Sequence, residues 1–157
     1  MKFLQSSIFL IALIMSTAAN ALNPPFVALD TYASNHDGAD ASSQIYVTSR
    51  CIALFITFAA QSSNQNNPTA KTFTNNARNA SQSLTTVVEW VITKTSIDPK
   101  AAIAENKRFI KDASAKYMQW ENQLLAAGHS LENDPLVNSD TQFCANLTNA
   151  VRAKQNP

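Results

Sequence analysis

Glycine is almost missing from this chain: Gly38 and Gly128 are the only two in 157 residues. Both are isolated, so there is no glycine-rich loop to cradle a phosphate. Histidine is equally scarce, with only His36 and His129, and no Glu-x-x-His pair exists to frame a dimetal site in a helix bundle. His36 lies close to Asp30, Asp37 and Asp40, but that spacing matches no defined calcium loop or zinc motif and reads as a solvated turn. Of three methionines, two fall in the first 15 residues and only Met118 remains, too few for a methionine-rich copper site. Charged residues make up 15% of the chain. Lys107-Arg108 and Lys111 alternate with Glu105 and Asp112, so no basic patch is offered to nucleic acid or anionic lipid. Serines are plentiful, but none sits in a nucleophile-elbow context. No cofactor is implied and no hydrolase, transferase or redox mechanism gains specific support, which leans against an enzyme.

What is present begins at the N-terminus. Lys2 supplies a charged start, Ile8 to Met15 form a compact apolar run, and Ala19-Asn20-Ala21 ends in the small-x-small pattern that a signal peptidase accepts. Residues 1–21 are expected to be a cleavable secretory signal peptide. The apolar run falls short of the ~20 residues of a bilayer span, and no later segment is expected to reach that length. No cysteine sits at the cleavage point, which disfavours a bacterial lipoprotein. The expected location is periplasmic or extracellular. Lys2 leaves with the signal, so the formal net charge of +1 falls to zero.

Exactly two cysteines, Cys51 and Cys144, follow the signal. In an oxidising compartment an even pair is most simply a structural disulfide, and their separation excludes a C-x-x-C redox site. Residues 22–157 are expected to form a single domain.

Leu22 to Asp40 is not helix-like throughout: Asn23-Pro24-Pro25 cannot sit in a helix interior, and Asn35 to Gly38 reads as a turn. Phe26, Val27, Leu29 and Tyr32 between them predict an arm laid across the core, with a short helix or a tail as alternatives. A first long helix is predicted from Asp40 or Ser42 to Gln61, its centre from Cys51 to Ala60 apolar on most sides. A second follows over Thr69 to Thr93, small at Ala77 and Ala80 and bulky at Val87, Val88, Val91 and Ile92. Asp98-Pro99 marks the cap and first turn of a third, which should run to Ala127 and stop at Gly128. The last begins at Asp134-Pro135 or at Ser139, with Phe143, Leu147 and Val151 on its apolar face. The predicted fold is all-α: an irregular four-helix bundle with an N-terminal extended arm and one interhelical disulfide.

Two functional classes fit. The leading one is an exported accessory or binding protein of the bacterial envelope with a protein partner, engaged through Tyr32, Phe26 or a polar helix face. The alternative is a small-ligand-binding protein or unrecognised enzyme using an interhelical pocket of Glu89, Trp90, Tyr117 and Trp120. Beyond these two classes, a purely structural component is a further alternative. Packing is the expected duty of Tyr117 and Trp120, since aromatics at helical spacing form core more often than clefts.

Overall fold

The computed structural model describes residues 24–129 and 133–155. The signal-peptide expectation for residues 1–21 lies outside them. Five helices follow one another: α1 (Leu29–Ser34), α2 (Ala41–Ser63), α3 (Pro68–Thr95), α4 (Pro99–Ala126) and α5 (Pro135–Gln155). Among the described residues there is no strand. The four-helix core is as the sequence predicts, and the arm resolves into a few irregular residues, the six-residue α1 and a turn.

Short polar residues set the helix starts. Asp40 accepts the Ser43 amide, Asn67 the Ala70 amide and Asp98 the Ala101 amide, at 2.8, 2.8 and 3.1 Å, each satisfying a donor that the first turn leaves without an intrahelical partner. Pro68 and Pro99 stand in the first helical position of α3 and α4, where a missing N–H costs nothing. α4 ends as Gly128 predicts. Gly128 takes φ +75°, and the amides of Gly128 and His129 reach back to the Leu125 and Leu124 carbonyls at 3.0 and 2.9 Å, the reciprocal pattern of a left-handed helix stop. α5 starts at Pro135 rather than Ser139. Asp134 accepts the Val137 amide at 2.9 Å, so the earlier of the two candidate caps is used.

α2 is the central helix and touches all four others, α3 most extensively. Six successive residues, Ser49 to Leu54, are no more than 2% exposed, so the helix is enclosed on every side at its middle. One expectation is corrected here. α2 does have the length and apolarity of a membrane-crossing helix, at a mean hydropathy of 1.3, but 61% of that window is buried inside the protein. Its apolarity is satisfied by neighbouring helices. Ala70, Ala77 and Ala80 lie buried on α3, and the Ser62 and Thr74 hydroxyls of α2 and α3 meet at 2.6 Å. Thr57 and Ser114 join α2 to α4 at 2.9 Å. Cys51 and Cys144 form the expected disulfide between α2 and α5.

Candidate functional site

Arg50 and Asp140, neither of which stands out in the sequence, form a buried ion pair with both side chains at 0% exposure. Tyr117 of α4 completes it: its hydroxyl donates to Asp140 and accepts from Arg50 Nη2 and Nε at 2.9 and 3.2 Å. Burial pushes the Tyr117 phenol far above its usual range, which keeps the hydroxyl a donor. Burial also works against the Arg50 charge, but the oxygens of Tyr117, Asp140 and Tyr46 outweigh it and hold the guanidinium above its ordinary value. The remaining valences go to the arm. Arg50 Nη1 donates to the Val27 carbonyl at 2.6 Å, and the Leu29 amide donates to Asp140 Oδ1 at 2.7 Å. Ala28 offers α1 no side-chain cap, so Asp140, from the far end of the chain, serves in its place. The Phe26 ring lies 4.2 Å from the Arg50 guanidinium carbon and 5.0 Å from the Tyr117 ring.

This cluster has the residue types of a catalytic centre but no access to a substrate. Its chemistry is positional: it clasps α1 onto α2, α4 and α5. The sequence held one indirect signal. Arg50 directly precedes Cys51, and Asp140 lies one helical turn before Cys144, so the disulfide itself brings the two charges side by side.

The clasped α1 helps to line a groove. Tyr32, His36 and Gly38 form one rim, Ser43, Val47 and Thr48 of α2 the floor, Val87, Trp90 and Val91 of α3 one wall, and Phe143, Leu147, Val151 and Lys154 of α5 the other. Its volume is about 630 Å³, inside the range of roughly 300–1,000 Å³ typical of small-molecule sites. Tyr32 stacks on His36 with ring centroids 3.9 Å apart, which stiffens the rim. A second groove of about 540 Å³ involves the N-terminal half of α3 and other positions along α5, and is lined by Phe55, Phe58, Phe73, Ala77, Ala80 and Val137 among others. The small Ala77 and Ala80 leave room that α5 does not fill. Trp90 is 62% exposed and Phe73 48%.

The four residues singled out as an interhelical pocket occupy four separate environments. Trp90 lines the larger groove. Glu89, on the same helix, pairs with Lys107 of α4 at 3.3 Å on the surface. Tyr117 belongs to the clasp, and Trp120 is buried, its indole N–H reaching Asp134 at 3.2 Å. Phe26 and Tyr32, expected as partner-facing, are respectively packed over Arg50 and stacked at the groove rim. Phe143, Leu147 and Val151 are the apolar face of α5, as predicted, but they remain half-buried because the groove opens over them.

Among the described residues no group of three or more His, Cys, Asp or Glu side chains is placed to hold a metal ion. The chain matches no protein-family model, and no curated protein or solved structure is significantly similar to it. Over its described residues the protein is small and purely helical, with one interhelical disulfide.

Proposed function

We propose that this chain is an exported binding protein of the bacterial envelope, working without chemistry of its own, and that its receptive site is the Trp90 groove between α3 and α5. The observation that carries the reading is the groove itself: a concave, largely apolar hollow with an exposed tryptophan at its wall. Soluble proteins seldom leave such surface open without a use for it. Export rests on the N-terminal signal pattern and fits a protein held by one disulfide.

Of the two classes the sequence leaves open, the concavity favours a small apolar ligand over a protein. A protein partner is the second reading, and exposed Phe73, Trp90 and Ile97 favour it, with Ile97 standing fully in solvent. A neutral apolar dye such as N-phenylnaphthylamine separates them. The oxidised chain should bind it saturably, and Ala150→Phe, which narrows the groove from an exposed position, should abolish binding without lowering the melting temperature. Absence of saturable binding would leave the protein-partner reading, to be pursued by pull-down from the extracytoplasmic fraction.

A further inference from the structure

We infer that the ligand of the Trp90 groove is a single-chain amphiphile with an anionic head, a long-chain carboxylate, its tail between α3 and α5 and its head beside Lys154 and His36; this rests on the groove being a binding site. Among the described residues the groove lining contains no aspartate or glutamate, and its ionisable residues beyond Tyr32 are Lys154 and His36. The carboxylates nearest in the chain are already engaged. Glu89 is paired with Lys107, and Asp37 and Asp40, which keep their charge, each hold a backbone amide of their own turn, Ala39 and Ser43, at 2.8 Å. In the last turn of α5, Lys154 lines this groove while Arg152 lines the smaller one. The apolar hollow therefore carries Lys154 in its lining and, among the described residues, no lining carboxylate, which complements an apolar tail carrying one negative charge and opposes a cationic amphiphile. His36 adds direction. Its Nδ1 donates to the Tyr32 carbonyl at 2.8 Å, which leaves Nε2 as the ring nitrogen for an outside partner.

The two tryptophans supply the readout. Trp120 is 4% exposed and Trp90 62%, so a change in emission on filling the groove reports Trp90. The oxidised chain is titrated with dodecanoate, dodecanol and dodecyltrimethylammonium, each below its micelle or solubility limit, with displacement of N-phenylnaphthylamine followed in parallel. Dodecanoate should bind saturably and tighter than dodecanol by about two- to fivefold at low salt, the scale of one exposed charge pair, and the margin should shrink as salt rises. Lys154→Gln should shrink the margin and Lys154→Glu should reverse it, each lowering dodecanoate affinity by a larger factor than dodecanol affinity. Equal affinity for all three amphiphiles, or a margin insensitive to Lys154, overturns the anionic-head assignment while the groove-binding reading stands. Dye binding that no amphiphile displaces overturns it in favour of another occupant, such as an apolar peptide. Failure of both dye and amphiphiles to bind overturns the two readings together.

Discussion

At the residue scale, a buried arginine is costly unless every donor is met, and Arg50 is met by an acid, a phenol and a main-chain carbonyl. Removing one member leaves the other charge stranded away from water. Arg50→Ala or Asp140→Ala should therefore each cost roughly 3–5 kcal/mol in a urea titration, whereas the pair Arg50→Met with Asp140→Leu should cost clearly less than the sum of the two. Additive losses would mean that the charges do not depend on each other. Trp120 carries a different load: it fills a small core with Leu124, Leu136 and Val137 and hydrogen-bonds Asp134. Trp120→Ala should cost roughly 3–5 kcal/mol, the range of a buried aromatic truncation. A loss under about 0.5 kcal/mol would resemble a surface substitution. Residues of this kind divide sharply in legibility. Cys51 and Cys144 announce themselves by being the only pair. Arg50 and Asp140 look like any charges on a helix, because 90 residues separate them and pairing at that range is a tertiary event.

At the element scale, the long helices were readable because their ends are written in local chemistry: Asp40, Asp98, Pro99 and Gly128 each act within one turn of themselves. α1 was not readable to the same degree. Its cap is Asp140 and its anchor Arg50, both supplied from distant sequence, and six residues cannot hold a helix without such help. Hydrogen exchange tests this dependence. In Asp140→Asn the Leu29 amide should exchange faster than in the unmodified chain while amides at the centre of α2 stay protected; uniform change across both would mean that α1 is not a separately clasped element. Asp134 is the corresponding point for α5, since it caps Val137 and holds the Trp120 indole together. Asp134→Ala should cost about 0.5–2 kcal/mol for the cap alone, with the indole donor's loss added to it.

At the scale of the whole molecule, α2 is the axle and the disulfide ties α5 to it. The bond closes a loop across a sequence separation of 93, worth on the order of 4–5 kcal/mol in the simple chain-entropy view. Cys51→Ser should lower stability towards that extent under non-reducing conditions, and reductant should bring the unmodified chain close to the mutant. Equal urea midpoints without reductant would count against the bond as a stabiliser. The grooves are the least legible feature. Phe143, Leu147 and Val151 read as core, and Ala77 and Ala80 as a place for close helix contact, because periodicity tells which face is apolar but not whether the facing helix reaches it. Here α5 is bound to α2 at Cys144 and to α1 at Asp140, and α3 lies along α2, so the two outer helices part and leave hollows on either side of their meeting point. The amide spectrum of the isotopically labelled, oxidised chain, recorded with increasing dodecanoate, tests that account directly. Saturating shifts confined to the residues around Val47, Trp90, Phe143, Leu147, Val151 and Lys154 are the predicted result. Shifts scattered over the surface, or appearing only once micelles form, would contradict it.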